Sequence, residues 1–219
     1  MADIVIFGAG GIARLARWYF DRDSEHRVAA FAVDAAFRTC DTYEGLPVIA
    51  FEDIVDCYPP DRFKFFAAVS YAKMNQLRAE KYLKAKALGY AVVNYVSSRC
   101  TYLSGELPGE NCFILEDNTI QPFVRIGNNV TLWSGNHIGH DSVIEDHCFI
   151  ASHVVVSGNC HIGEYCFIGV NATLRNNLTL APRTLLGAGA VLMKDSIEGG
   201  VYVPETATLI DKRSHEVRL

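Results

Sequence analysis

From Ile114 to Leu192 every sixth residue is a branched aliphatic: Ile114, Ile120, Ile126, Leu132, Ile138, Ile144, Ile150, Val156, Ile162, Ile168, Leu174, Leu180, Leu186 and Leu192. An amphipathic helix would place apolar residues three and four apart, and a half-buried strand would place them two apart. A strict period of six fits a parallel β-helix built from hexapeptide repeats. The position two before each aliphatic is mostly small, as at Cys112, Val124, Ser142, Cys148, Cys160, Cys166 and Ala172. The position after it is often glycine, as at Gly127, Gly139, Gly163, Gly169 and Gly187.

Three hexads would close one triangular coil, so residues eighteen apart should stack and the aliphatics should form continuous inner ladders. Neighbouring coils would satisfy each other's backbone, and no coil could stand alone. The glycines are expected to relieve backbone strain where the chain turns.

The first part of the chain is patterned differently. The apolar run Asp3 to Phe7 ends in Gly8-Ala9-Gly10-Gly11-Ile12-Ala13, and helical spacing follows to Phe20. Strand, glycine turn and helix in this order match G-x-G-x-x-A, in which glycines let a phosphate approach a helix N-terminus. A second run, Val28 to Val33, ends in Asp34, where a carboxylate can reach a ribose or a base. A third, Phe63 to Val69, ends in Ser70-Tyr71; a helix from Asn75 to Leu88 and a strand from Tyr90 to Val96 are expected next. This alternation predicts a small parallel α/β sheet, Rossmann-like, over residues 1–96. That is about half of a full dinucleotide-binding fold, so a mononucleotide suits its size better. The turn also fits a tight connection with no ligand. Residues 97–111 read as a linker, 112–198 as the β-helix and 199–219 as a C-terminal segment leaving the hexad register at Gly199-Gly200.

Composition narrows the partners. A net charge of -5 over 219 residues gives no basic footprint for nucleic acid. No apolar run is long enough to span a membrane, and the N-terminus lacks a signal peptide's charged flank and cleavage site, so a cytoplasmic location is expected. Seven cysteines, an odd number, argue against a disulfide framework. Cys112, Cys148, Cys160 and Cys166 fall on the small inward position and read as buried small hydrophobes.

Five of the seven histidines lie between His137 and His161. None occupies an inward hexad position, so all five should face outward or sit at corners. His140 and Asp141 are adjacent at a corner; an imidazole titrating near neutrality suits a general base, and a carboxylate beside it can hold its tautomer. Gly158, one coil above His140, leaves room for the ring. Surface histidines with no role, or a zinc site, are the competing readings, but the ligand spacing for zinc is missing.

Hexads preceded by a small nucleotide-binding domain resemble the left-handed β-helix sugar N-acetyltransferases that act on nucleotide-linked 4-amino-sugars. These are the bacillosamine and perosamine enzymes, related to the sialic acid O-acetyltransferases. The resemblance rests on the glycine turn at Gly8 to Ala13, on Asp34, on the unbroken hexads and on Ile138-Gly139-His140-Asp141. It implies a cytoplasmic homotrimer in surface glycan biosynthesis, with acetyl-CoA as donor, a nucleotide-linked amino-sugar as acceptor and no metal. His140 would be the general base and Asp141 its orienting partner. Gly8, Gly10, Gly11, Ile12, Asp34 and Ser70 would hold the nucleotide-sugar. Phe149 stands where relatives often carry a second histidine, and Asn136, His137 and His153 are the candidates to replace it at the acyl-CoA. Gly169, Asn171, Gly187 and Gly189 would line the cofactor groove between neighbouring β-helices. The family's Gly-x-Pro-Ala ending is altered here to Tyr202-Val203-Pro204-Glu205-Thr206-Ala207. O-acylation of a sugar hydroxyl, or a non-catalytic β-helix, are the alternatives.

Overall fold

The computed structural model describes residues 2–209, 211 and 213. Its first unit runs β1 (Ala2–Phe7), α1 (Gly11–Asp23), β2 (His26–Val33), β3 (Thr42–Tyr43), β4 (Leu46–Ala50), α2 (Ile54–Cys57), β5 (Lys64–Ala67) and α3 (Gln76–Ala87). The strands form one sheet in the order β3-β4-β2-β1-β5, parallel except for β3. Alternation along β1 supplies both faces. Ile4 and Ile6 pack with Phe20, Phe31 and Phe66 on one side, while Val5 and Phe7 pack with Phe51, Phe65 and Tyr82 on the other.

The second unit is a three-sided coil of two-residue strands. Face A stacks Phe113–Ile114, Thr131–Leu132, Phe149–Ile150, Phe167–Ile168 and Leu185–Leu186. Face B stacks Thr119–Ile120, His137–Ile138, Val155–Val156, Thr173–Leu174 and Val191–Leu192. Face C stacks Arg125–Ile126, Val143–Ile144, His161–Ile162 and Thr179–Leu180. Partners are eighteen apart throughout, and all the hexad aliphatics are buried in one core. Cys112, Cys148, Cys160 and Cys166 are buried there too.

The corner glycines act differently from expectation. The left-handed backbone falls three residues before each aliphatic, on Asn111, Asn129, Asp141, Asn159, Asn171 and Asn177 among others. Asn and Asp tolerate that conformation best after glycine. Gly139 instead permits a close approach between coils: a Cβ there would lie 2.5 Å from the Gly158 nitrogen.

Residues 97–111, expected as a linker, carry the first turn of the coil. Thr101–Tyr102 pairs with Thr119–Ile120, and Gly109 donates to the Ile126 carbonyl at 3.0 Å. The first regular coil would otherwise leave its lower edge of backbone groups unpaired. The expected strand Tyr90 to Val96 divides for the same reason: Val92 bridges to Phe65, while Tyr95–Val96 pairs with Phe113–Ile114. At the other end Val201–Tyr202 returns to pair with Leu185–Leu186.

The sheet unit docks on face A and its two flanking corners. Phe113 and Leu115 share a core with Phe20 and Phe66, and Tyr19 donates to Glu116 at 2.6 Å. Tyr71 packs on Phe149 and Phe167, with ring centroids 5.1 and 4.8 Å away. Arg78, 2% exposed, reaches from α3 to the Asn129 side chain at 3.0 Å and to the carbonyls of Asn129, His147 and Cys148 at 3.1–3.2 Å. Five polar acceptors, counting the Ser70 carbonyl, thus surround one buried guanidinium.

Candidate active site

The corner between faces B and C carries His140 and Asp141. The left-handed backbone at Asp141 turns its carboxylate back onto the preceding imidazole, and Nδ1 of His140 lies 2.8 Å from Oδ2 of Asp141. Gln121 accepts the His140 backbone N–H at 2.8 Å, and His140 in turn accepts from Asn159 at 2.9 Å. Both side chains are about half exposed. The ring lies across Gly158, where a Cβ would stand 2.7 Å from Nε2. One nitrogen is therefore held by the carboxylate and the other takes no hydrogen bond among the described residues, the arrangement a general base needs.

The candidates for acyl-CoA lie elsewhere in the same chain. His153, Gly169, Asn171, Gly187 and Gly189 belong to the corner between faces A and B, with face B and His137 between them and His140. His153 is exposed and lies over Gly135, whose Cβ would meet its Nδ1 at 2.5 Å. His137 is half-buried on face B. Asn171 and Gly189 are exposed and left-handed, whereas Gly169 is covered by Ala188, 2.5 Å from its Cβ position. Asn136 does not line any groove. It is 1% exposed, accepts from Val154 at 2.7 Å and donates to the Trp133 carbonyl, so it closes the corner from inside. Phe149 is buried beneath Tyr71 on face A.

His147 sits at a corner, as expected, but it is 6% exposed. It points away from the coil, yet α3 covers it. The Asn129 amide oxygen accepts from Arg78 and from Asn111 (2.7 Å), so its NH₂ donates to Nδ1 of His147 at 2.9 Å. Burial pushes this imidazole's pKa down and Arg78 adds to that, against the opposing pull of Asp146 and Glu164.

In the sheet unit Gly8 has φ +121°, and a Cβ there would lie 2.8 Å from the Ala68 carbonyl. Gly10 caps α1 and Gly11 begins it; both are exposed with open space at their Cβ positions. A cavity of about 940 Å³ opens beside them, lined by Gly11, Arg14, Arg17, Trp18 and Glu44 among others. Ile12 is half-buried against the α1 side of the sheet. Asp34 is not free: Lys81 of α3 holds its Oδ1 at 2.7 Å. Ser70 is half-buried, and its carbonyl accepts from Arg78 at 3.4 Å. The strand spacing could not reveal Lys81 or Arg78; their only signal was a basic residue at each of two helix positions spaced to face inward. Among the described residues no group of three His, Cys, Asp or Glu side chains is placed to hold a metal ion. No helix among them is long and apolar enough to cross a membrane.

The model of the bacterial transferase hexapeptide (six repeats) matches residues 124–158 and 141–176. The coil is a left-handed hexapeptide β-helix. The β-helix and the sheet unit together resemble solved structures. The acetyltransferase domain of PglB from Neisseria gonorrhoeae superposes with a TM-score of 0.77 at 22% identity, covering 92% of this chain and 96% of that one. A variant of the perosamine N-acetyltransferase from Caulobacter crescentus, in complex with CoA and GDP-perosamine, gives 0.82 at 23% over 92% and 93%. WeeI from Acinetobacter baumannii gives 0.76 at 23% over 91% and 96%. At such identity these are likenesses of fold. Among curated proteins, the acyl-[acyl-carrier-protein]–UDP-N-acetylglucosamine O-acyltransferase of Stutzerimonas stutzeri is 27% identical over 70 residues, 32% of this chain. The match spans 27% of that relative's length.

Proposed function

We propose that the chain is an acyl-CoA-dependent N-acyltransferase that acetylates the amino group of a nucleotide-linked amino-sugar, of the 4-amino-4,6-dideoxy type, in surface glycan synthesis. The carrying observation is the His140–Asp141 pair at 2.8 Å with the second ring nitrogen over Gly158. The neighbours of like fold support the substrates, since their structures hold acetyl-CoA, or CoA with GDP-perosamine. In this reading the sheet unit is a Rossmann-like nucleotide domain with the diphosphate at Gly10-Gly11 and the base at Asp34. The protein acts in the cytoplasm.

His140 accepts a proton as the sugar amine attacks the thioester carbon. A C–N bond forms, the C–S bond breaks, and the coenzyme departs as a thiol. Asp141 stabilises the imidazolium that forms. Binding of the remote nucleotide orients the amine, which supplies much of the acceleration.

His140 stands on the corner opposite face A, where its own sheet unit is docked. A nucleotide held by one chain would therefore meet the histidine of another, and acetyl-CoA would lie between coils. This supports a homotrimer with shared sites. The test is a free-thiol assay with acetyl-CoA and nucleotide-linked amino- and hydroxy-sugars: thiol release with the amino-sugar is expected. Release with the hydroxy-sugar alone would move the assignment to O-acylation, the chemistry named for the curated relative.

A further inference from the structure

Asp34 directly follows β2, beside the glycine turn whose Gly8 donates to the Ala32 carbonyl at 2.8 Å. Its backbone is pinned: Phe37 donates to the Asp34 carbonyl at 2.8 Å, and Ala35 donates to Glu52 at 3.0 Å. The carboxylate is pinned as well. Lys81, 5% exposed, places Nζ 2.7 Å from Oδ1 of Asp34 and 3.0 Å from Glu80. The same ammonium lies 5.3 Å from the Phe7 ring centroid and 5.8 Å from that of Phe51. The ammonium is thus held between two carboxylates and against two ring faces, which fixes it beside Asp34. Among the described residues Oδ2 of Asp34 takes no hydrogen bond, and the side chain keeps 22% exposure.

We propose that Lys81 sets the base preference of this site, making it selective for a pyrimidine nucleoside diphosphate over a guanine one. The proposal rests on the nucleotide-sugar reading above and adds the class of nucleotide. Uracil and thymine present one N–H donor between two carbonyls. A single open carboxylate oxygen beside a cation matches that edge, since the oxygen accepts from N3–H and the ammonium side favours a carbonyl. Guanine presents two parallel donors, N1–H and the 2-amino group, and asks for both oxygens of one carboxylate. Here its second donor would have to share Oδ1 with the ammonium, which draws on the same oxygen and sets the incoming N–H beside a positive charge, so that bond is weakened. Lys81 is a positioning residue, acting through Asp34.

The test is titration calorimetry of the full chain with UDP, dTDP and GDP, on the wild type, Lys81→Met and Lys81→Arg, with circular dichroism of each. UDP and dTDP are expected to bind at least about tenfold more tightly than GDP. Lys81→Met should erase that ratio. Lys81→Arg, whose planar fork spans both oxygens, should weaken all three. Equal or tighter GDP binding by the wild type, or an unchanged ratio in a folded Lys81→Met, overturns the proposal while leaving the nucleotide reading intact. If Lys81→Met does not fold, the wild-type ratio and Lys81→Arg decide. Failure of every nucleotide to bind overturns the nucleotide reading, and this proposal with it.

Discussion

The His140 imidazole lies across Gly158, one coil above it, so closely that a single methyl group on that glycine would stand 2.7 Å from Nε2. Gly158 is not among the left-handed glycines, so alanine is compatible with its backbone. Gly158→Ala should fold with a near-native melting temperature while its methyl pushes the exposed ring off Asp141. Turnover should fall about a hundredfold, as misplacement of a reacting group by an ångström does. His140→Ala should fold equally well and lose about 10²–10⁴-fold. Steady-state kinetics beside thermal melts check both, and a His140→Ala rate near wild type would remove the general base from the mechanism.

The position of that corner opposite face A gives a second expectation. His140→Ala and Asp34→Ala chains should each be inactive alone. Co-assembled, they should recover activity, because one chain supplies the base and another the nucleotide site. Light scattering should report three chains per particle. Mixed particles that stay inactive would mean that each chain completes its own site.

Arg78 is the pin between the two units. Arg78→Met removes the donor from Asn129 and from several buried carbonyls, and should cost about 3 kcal/mol in urea unfolding. Arg78→Lys should recover only part, because a point charge cannot reproduce the planar fork.

His147 makes the same junction sensitive to acid. Its folded pKa lies below the ordinary histidine value of 6.5, with burial the leading cause. The unfolded chain therefore binds the proton first. The contribution of His147 to stability is complete above pH 6.5 and is lost as pH falls from there through the folded pKa. Melting temperature should drop across that window. His147→Gln, which keeps an acceptor for Asn129 but cannot charge, should flatten the drop; an unchanged slope would exclude His147 as its source.

Base catalysis by His140–Asp141 needs no metal ligand. Dialysis against a chelator should leave turnover unchanged, and a loss restored by zinc would favour the metal-site alternative.

The period of six determined the coil outright. Fourteen aliphatics in register leave the backbone one way to bury them all, and the eighteen-residue stack alone sets Gly158 over His140. The glycine turn and the three apolar runs likewise foretold β1, β2 and β5, because short-range patterning dictates which residues must be inside. What period and spacing could not carry was contact between distant segments. That α3 buries His147 depends on how the two units dock, whereas Lys81 taking one oxygen of Asp34, Asn136 spending its amide inside a corner and residues 97–111 closing the coil's first turn depend on contacts between distant segments within one unit. Docking is decided by which buried polar groups find partners across the junction, and that pairing has no periodic signature along the chain.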